Sequence, residues 1–356
     1  MSSEALGGAE INNAVLKEKL VAKGCDVNEI KSTEVNLSFI EKNKSANFIV
    51  SNFLGLSEQA KTALKNTNYL IYEHDHKYVK SRNPASYNNF VAPQSEIINR
   101  QFYKNARAVL CQSKMHALIL KRNLCLDNVT NLGGNLWSSD TLALLEKIAV
   151  QPKKDMFAVM DSNIPHKNTL GAIAYCEHKN LPYELVSSSQ YEEFLKILGS
   201  YSKFCFFPHT PETLSRVIVE ARMMNMEVHS NNLVGALSEK WFSLKGANLI
   251  SKMRDRGEAI VNTIMDLFKS TNTIKFYNNE LKNNFKVSIV TSLYKGDEHI
   301  EQYLENITQQ SIFDQCELII INANSPGNEE VVIKEYLEKY DNIKYKRLDY
   351  DPGIYG

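Results

Sequence analysis

The chain has 356 residues, of which 43% are hydrophobic and 23% charged, and its 41 lysines and arginines balance its 41 aspartates and glutamates. This length predicts two to three domains, and the composition is ordinary for a globular protein. The balanced charge gives no reason to expect a nucleic-acid partner.

No apolar run approaches the roughly 20 residues that span a bilayer, and Met1–Glu10 lacks the features of a signal peptide. We therefore expect a cytoplasmic protein without a transmembrane segment, for which peripheral membrane contact stays open. The six cysteines form no Cys-x-x-Cys pair, which favours reduced thiols over disulfides or zinc ligands.

Short β-rich apolar runs alternate with helical patterns along the chain. The predicted strands are Phe48–Ser51, Tyr69–Tyr72, Ala108–Cys111, Met156–Met160, Tyr183–Val186, Phe204–Phe207, Val287–Thr291 and Leu318–Asn322. The predicted helices are Ile11–Lys23, Ser57–Lys65, Ser95–Lys104, Lys114–Arg122, Thr169–His178, Gln190–Leu198, Glu212–Asn225 and Gly257–Lys269. This alternation predicts an α/β protein with parallel sheets covered by helices, in which ligands bind at the carboxyl ends of the strands.

Composition shifts divide the chain into four predicted segments. Residues 1–140 and 141–272 each form a Rossmann-like domain, 273–285 form a linker rich in Asn and Lys, and 286–356 open a further βαβ unit. Only six residues precede Gly7, so the first strand of the first domain is expected to be missing. A natural fragment and a trimmed chain both stay open, and so does the oligomeric state.

The segment Phe204–Glu220 carries the strongest chemical pattern. An apolar strand leads into a Pro/His/Thr loop and then into a predicted helix, for which Thr210 suits the cap and Pro211 the first position. The backbone N–H groups of Glu212, Thr213 and Leu214 would then be free at the helix start, where the helix dipole favours a diphosphate.

Glu212 and Glu220 are eight residues apart, which on a helix corresponds to about 12 Å along the axis and an offset of about 80°. Carboxylates so placed cannot act on one bond, but they can accept hydrogen bonds from hydroxyls at two ends of an extended ligand. The alternative is a surface helix with two solvated glutamates.

This segment resembles the glutamate–seven residues–glutamate motif of retaining glycosyltransferases of family 4, which have the two-domain GT-B fold. The resemblance covers about residues 5–270. The N-terminal Gly7-Gly8-Ala9-Glu10 resembles the family's glycine-rich loop, whose glycines let the backbone approach the donor phosphate or the acceptor.

The resemblance implies a role for each matching residue. Glu212 would bind the hydroxyls of the donor sugar and Glu220 those of the ribose. His74 would contact the reacting sugar, with Asp75 orienting its imidazole, and Lys167 would neutralise the diphosphate without a metal. His209, Thr213 and Leu214 complete the predicted substrate contacts. A satisfied loop histidine and a solvated lysine are the alternatives for His74 and Lys167.

One feature departs from the family. An arginine usually lies a few residues before the lysine, whereas this chain has Asp161, Ser162 and Asn163 there. The base of the nucleotide would lie near Ser187–Gln190, on fold position alone.

Residues 286–356 resemble the beginning of family 2 glycosyltransferases, which have the GT-A fold. Thr291, Tyr294 and the turn Asn322–Ser325 would lie against the nucleotide base. Asn322-Ala323 replaces the acidic pair of that family, and Asp349-x-Asp351 is interpreted as a solvated loop and not as a magnesium site. This incomplete segment is expected to be inactive.

The sequence therefore predicts sugar transfer from a nucleoside diphosphate sugar to a glycan, lipid-linked or small-molecule acceptor, with retention of configuration and without a metal or another cofactor. One alternative is a non-catalytic nucleotide-binding or scaffold module, favoured by the missing arginine. Another is a nucleotide-sugar epimerase with the same fold, which product analysis would distinguish.

Overall fold

The computed structural model describes residues 7–269 and 287–349, and every structural statement below refers to these residues. The chain divides into two compact units, Met1–Thr271 and Asn272–Gly356. The predicted linker 273–285 lies outside the described residues.

The first lobe of unit 1 is built on four parallel strands in the order β1-β2-β3-β4. These strands are β1 (Asn47–Val50), β2 (Asn68–Tyr72), β3 (Ala108–Cys111) and β4 (Val129–Asn131). Its helices are α1 (Gly8–Ala22), α2 (Leu37–Lys42), α3 (Glu58–Leu64), α4 (Arg100–Asn105) and α5 (Lys114–Leu124). The two central strands are apolar and buried on both faces, as expected for a parallel sheet covered on both sides.

The second lobe repeats this plan with the strand order β6-β5-β7-β8, again all parallel. Its strands are β5 (Lys154–Met160), β6 (Tyr183–Val186), β7 (Tyr201–Phe206) and β8 (Glu227–Ser230). Its helices are α6 (Ser139–Ala149), α7 (Thr169–His178), α8 (Tyr191–Gly199), α9 (Arg216–Met223) and α10 (Gly246–Lys269). The carboxyl ends of both sheets supply the residues of the cleft described below.

The last helix of unit 1, α10, joins the two cores. Near its start, Leu249 and Met253 belong to the core of the second lobe. Two turns further on, Ile260 and Ile264 pack with Leu16 of α1 and with the sheet of the first lobe. The helix begins at Gly246, and the predicted start Gly257 lies in its interior.

Unit 2 contains three parallel strands in the order β11-β10-β9. The strands are β9 (Val287–Leu293), β10 (Cys316–Asn322) and β11 (Ile343–Arg347), and the helices are α11 (Ile300–Thr308) and α12 (Glu329–Lys339). Every second residue of β10, from Cys316 to Asn322, is buried. The predicted α/β class with parallel sheets is confirmed in both units. None of the described helices is long and apolar enough to cross a membrane.

Candidate active site

A cleft of about 510 Å³ opens in unit 1 at the carboxyl ends of its parallel strands, and both lobes contribute to its walls. Its volume is typical of a small-molecule site. Seven of the ten predicted site residues line it: Gly8, His74, Asp75, Lys167, Glu212, Thr213 and Glu220. The other three lie outside the lining. Gly7 and His209 are exposed, and the side chain of Leu214 is buried in the core.

The segment around Glu212 is extended and not helical, which corrects the predicted helix start. The N–H of Glu212 donates to the carbonyl of Leu233 over 2.8 Å, and its own carbonyl accepts from Gly235 over 2.9 Å. This parallel bridge uses the N–H of Glu212, one of the three N–H groups that were expected to bind phosphate. Helix α9 therefore begins four residues later than predicted, at Arg216.

The true start of α9 also faces the cleft. Ser215 has a left-handed backbone (φ 70°) and immediately precedes the helix. Ser215, Arg216 and Val217 all line the cleft. Since the first N–H groups of a helix have no partner within it, this turn is suited to an anion. The hydroxyl of Ser215 is buried and has no hydrogen-bond partner among the described residues.

Lys167 and Glu212 form an ion pair at the cleft, with Nζ 2.8 Å from Oε1. Lys167 comes from the segment between β5 and α7, and Glu212 from the loop after β7, so the pair joins the ends of two neighbouring strands. Both side chains keep part of their surface exposed. A cation and a carboxylate are thus presented together to whatever occupies the cleft.

Glu220 is almost fully buried at the inner end of the cleft. Its Oε1 accepts a hydrogen bond from Trp137 Nε1 over 2.8 Å and another from the hydroxyl of Tyr191. The guanidinium of Arg216, one turn earlier on α9, forms an ion pair with the same oxygen. Two hydrogen-bond donors and one cation thus hold this carboxylate in one orientation before any ligand arrives.

His74 follows β2 and lies between two amide side chains. Its Nδ1 is 2.6 Å from Gln112 Nε2, and its Nε2 is 3.2 Å from Asn13 Oδ1. The ring stacks on Tyr72 at 4.8 Å. Burial, assisted by the nearby Lys77 cation, lowers the pKa of His74 to about 3. The imidazole is therefore neutral at physiological pH.

Asp75 does not orient His74, which corrects that prediction. Its carboxylate pairs with Lys77 and, over 2.9 Å, with Arg82. Gln112 and Asn13 hold the imidazole instead. Asp75 remains at the wall of the cleft.

A buried cluster of charged and polar side chains fixes the loop that follows β2 and carries His74. Glu73 is fully buried and accepts hydrogen bonds from the N–H groups of His74 and Asp75, from Lys77 and from the hydroxyl of Tyr103. Burial raises the pKa of Glu73, but Lys77 and the hydrogen bonds outweigh it and lower the pKa to about 2. The carboxylate is thus ionised and fixes the backbone that carries His74.

Several residues of the cleft were not predicted from the sequence: Gln112, Asn135, Tyr191, Ser215 and Arg216. The position of Gln112 directly after the buried strand β3 was the one available signal, because the carboxyl ends of parallel strands carry ligand sites. The others reach the cleft from loops and helix ends. Among the described residues, no group of three or more His, Cys, Asp or Glu could hold a metal ion.

In unit 2, the predicted base-contacting residues lie near the carboxyl ends of β9 and β10. Thr291 bonds to the hydroxyl of Tyr303, and Tyr294 is exposed. Asn322 is fully buried and accepts from the N–H of Ser325 over 2.7 Å, closing the predicted turn. Asp351 lies outside the described residues, as does Lys286 at the start of this segment.

Comparison with known proteins gives short or distant matches. No family model matches the chain. The minor teichoic acid biosynthesis protein GgaB of Bacillus subtilis (strain 168) is 34% identical over 71 residues, which are 19% of this chain and 8% of that protein.

Solved structures match at low identity. A variant of TarM from S. aureus, in complex with Fondaparinux, alpha-GlcNAc-glycerol and UDP, is 12% identical with a TM-score of 0.40, over 66% of this chain and 58% of its own. The pneumococcal O-GlcNAc transferase GtfA, in complex with UDP and GlcNAc, is 12% identical with a TM-score of 0.39, over 65% and 57%. A glycosyltransferase from Rickettsia africae ESF-5 is 15% identical with a TM-score of 0.37, over 70% and 83%. The chain thus spans under three fifths of the first two structures.

Proposed function

We propose that unit 1 is a glycosyltransferase that binds a nucleoside diphosphate sugar in its cleft and transfers the sugar to a glycan, lipid-linked or small-molecule acceptor. The transfer would retain the anomeric configuration and need no metal. The observation that carries this proposal is the pairing of Lys167 with Glu212 beside the start of α9, in a cleft walled by both lobes.

The leaving group is a nucleoside diphosphate, so catalysis requires positive charge where its negative charge develops. Lys167 supplies a cation, and the first turn of α9 supplies N–H groups and the positive end of a helix dipole. The departing diphosphate would therefore bind between Lys167 and Ser215.

The sugar is the hydroxyl-rich part of the donor. Glu212 would accept hydrogen bonds from its hydroxyls while it stays paired with Lys167. His74 lies on the wall contributed by the first lobe and would donate to the sugar from the opposite side. Glu220 would accept from the ribose through Oε2, because Trp137, Tyr191 and Arg216 all contact Oε1.

A non-catalytic nucleotide-binding module is the second candidate, and two observations favour it. Glu220 Oε1 is fully engaged by Trp137, Tyr191 and Arg216, an arrangement that also suits a purely structural carboxylate. In addition, the family that this segment resembles usually has an arginine shortly before the lysine, where this chain has Asp161, Ser162 and Asn163. Such a module would bind nucleoside diphosphates without transferring a sugar.

The first test is isothermal titration calorimetry with UDP, GDP and ADP. Lys167→Met should weaken the binding of the preferred nucleotide about tenfold or more, corresponding to about 1.4 kcal/mol, because it removes the cation from the diphosphate. Lys203→Met is the matched control, since Lys203 pairs with Asp155 over 2.8 Å outside the cleft lining. Equal affinities in both variants, or no binding of any of the three nucleotides, would refute the site.

The second test separates the two candidates. The sugar donors of the preferred nucleotide are incubated with and without candidate acceptors, and released nucleotide and glycosylated product are quantified. An enzyme yields product and a nucleotide release that rises with acceptor, whereas a module that binds nucleotide only yields neither. Binding without turnover across the acceptor classes would favour the second candidate.

A further inference from the structure

The amide of Gln112 connects four groups at the floor of the cleft. Gln112 is almost fully buried. Its Nε2 donates to His74 Nδ1 over 2.6 Å and to the carbonyl of Glu73 over 3.2 Å. Its Oε1 accepts from the hydroxyl of Thr213 and from Asn135 Nδ2, each over 3.3 Å. Each end of the amide thus has two hydrogen-bond partners.

These partners determine which way the amide points. The carbonyl of Glu73 can only accept, so it must face the NH₂ end of Gln112. In this orientation the oxygen end of Gln112 accepts from Asn135 Nδ2. Exchanging the two ends of Gln112 would place its oxygen against the carbonyl oxygen of Glu73. The orientation of Gln112 therefore follows from its surroundings.

That orientation in turn determines the tautomer of His74. Because Nδ1 faces an NH₂ donor, it must be the unprotonated, accepting nitrogen. The proton then lies on Nε2, which donates a hydrogen bond to Asn13 Oδ1 over 3.2 Å. Stacking on Tyr72 fixes the plane of the ring. Every contact of His74 is consistent with one neutral form.

The charges around the ring act on this form as well. The side-chain carboxylate of Glu73 carries a negative charge and accepts from the backbone N–H of His74, and Lys77, which pairs with Glu73, carries a positive charge. Burial is the largest influence on the pKa of His74, and the net result is a pKa of about 3. Proton uptake by the ring is therefore unfavourable throughout the neutral range.

We propose that Gln112 is a positioning residue that holds His74 in the neutral form protonated on Nε2, so that His74 acts as a hydrogen-bond donor to an oxygen of the bound sugar. On this proposal, which rests on the proposed function, His74 is neither a general acid nor a general base. In the empty cleft, Asn13 Oδ1 accepts the hydrogen bond from His74 Nε2. The bound sugar oxygen would replace Asn13 as the acceptor.

Thr213 adds a contribution from the second lobe. Its single hydroxyl proton is shared between the carbonyl of His74, over 3.1 Å, and Gln112 Oε1, over 3.3 Å. The second lobe thus helps to hold the amide that orients His74. Asn135 provides a further polar atom there, since its Oδ1 is buried at the cleft without a partner among the described residues.

The proposal is tested by NMR of protein labelled with ¹⁵N-histidine, which reports the protonation of each ring nitrogen without any ligand. The His74 signals are assigned by their loss in His74→Asn. In the wild-type protein we expect Nδ1 unprotonated and Nε2 protonated at pH 7 and at pH 5. Observation of a proton on Nδ1, or of a cationic ring at pH 5, would overturn the proposal.

Two variants sharpen this test. Gln112→Glu places an acceptor against Nδ1, so His74 should gain a proton on Nδ1 and its pKa should rise by at least one unit. Gln112→Leu removes the donor without adding a charge, so the ring should populate both tautomers. Gln101→Glu, the same change at an exposed position on α4, should leave the His74 signals unchanged. An unchanged His74 tautomer in both Gln112 variants would refute the positioning role.

The kinetic readout distinguishes this proposal from the proposed function. In the transfer assay, Gln112→Leu should lower kcat at least tenfold with a smaller change in KM, and wild-type kcat should show no titration from His74 between pH 5 and 8. If kcat of the wild-type protein depends on pH in this range and the dependence disappears in His74→Asn, the donor role is overturned. Failure of nucleotide binding would refute the proposed function, whereas the tautomer of the unliganded protein is measured independently of it.

Discussion

Trp137 donates its indole N–H to Glu220 Oε1 over 2.8 Å, and both side chains are almost fully buried. The guanidinium of Arg216 lies over the same indole, 4.6 Å from the ring centroid. Trp137 lies two residues before the start of α6, where the chain passes from the first lobe to the second. The residue at the junction of the lobes therefore also fixes the carboxylate that we assign to the ribose.

Trp137→Phe should destabilise the protein by about 1–3 kcal/mol, because it withdraws a donor from a buried charged acceptor. The protein has one other tryptophan, Trp241, which is also buried and donates to the neutral carbonyl of Gly133 over 2.8 Å. Since hydrogen bonds to charged groups are stronger, Trp241→Phe should cost less. Urea unfolding followed by circular dichroism measures both. A smaller loss for Trp137→Phe than for Trp241→Phe would contradict the role given to Glu220.

The central strands were predictable because burial on both faces leaves a continuous apolar run. The predicted Ala108–Cys111 is the observed β3, and the predicted Tyr69–Tyr72 differs from β2 by one residue. Three edge strands, β4, β8 and β11, were not predicted. β8 contains Glu227 and His229 and is only partly buried. Edge strands of this kind lack the hydrophobic signal on which the prediction relied.

The positions of His74 and Lys167 at the cleft were predictable, because both residues follow strands of parallel sheets. The start of the helix after Glu212 was not, because the bond between Glu212 and Leu233 joins residues that are distant along the chain. Capping preferences at Thr210 and Pro211 describe local geometry only. Gln112 was likewise missed because its importance depends on partners from three separate segments of the chain.

Two glycine substitutions should change stability in opposite directions. A Cβ on Gly235 would lie 2.3 Å from the carbonyl oxygen of Thr213 and 2.4 Å from Ser113 Oγ, which bond to each other between the lobes. Gly235→Ala should therefore destabilise by about 1–3 kcal/mol or more. In the interior of α10, a Cβ on Gly257 meets only ordinary contacts at 3.7 Å. Gly257→Ala should stabilise by up to about 1 kcal/mol, because alanine favours helix.

Thermal and urea unfolding of the two alanine variants check this pair. Loss of stability in both would show that α10 is packed too tightly at Gly257 for a methyl group. Retention of full stability in Gly235→Ala would show that the two lobes do not approach each other there as described.

Acidification should destabilise the protein before its carboxylates titrate. Burial lowers the pKa of His74 to about 3 and of His76 to about 4, and it lowers the pKa of His116 well below the ordinary value. Unfolded histidines take up protons near pH 6.5, so the unfolded state binds more protons below that pH. Stability should be complete above about pH 6.5 and decline as the pH falls towards 4.

His116→Asn tests the contribution of one histidine to this pH dependence. An asparagine oxygen can accept the N–H of Gln112 that His116 Nδ1 now accepts over 3.2 Å, but it cannot titrate. The dependence of unfolding free energy on pH between 6 and 4.5 should fall by about 1.4 kcal/mol per pH unit. His178→Asn, at an exposed position, serves as the control. A variant at position 116 with the wild-type pH slope would show that this imidazole does not stay neutral on folding.

The first turn of α5 in the first lobe is capped by side chains of the second lobe. The N–H of Lys114 donates to Glu239 Oε1 over 2.6 Å, and that of Met115 donates to Ser238 Oγ over 3.0 Å. Separating the lobes at this point would expose two N–H groups at the positive end of the α5 dipole. Glu239→Ala should therefore destabilise the protein by about 1–2 kcal/mol. Glu239→Gln should lose less, because it keeps the accepting oxygen and removes only the charge.

Urea unfolding at low and at high salt separates the two contributions of Glu239. The charge contribution should weaken in salt, so the difference between Glu239→Gln and the wild-type protein should shrink, while the additional loss in Glu239→Ala persists. Glu146→Ala, an exposed position on α6, should stay within about 0.5 kcal/mol of the wild-type protein. If Glu239→Ala behaves like Glu146→Ala, the cap does not hold the lobes together, and the cleft is free to open by separation of α5 from Ser238 and Glu239.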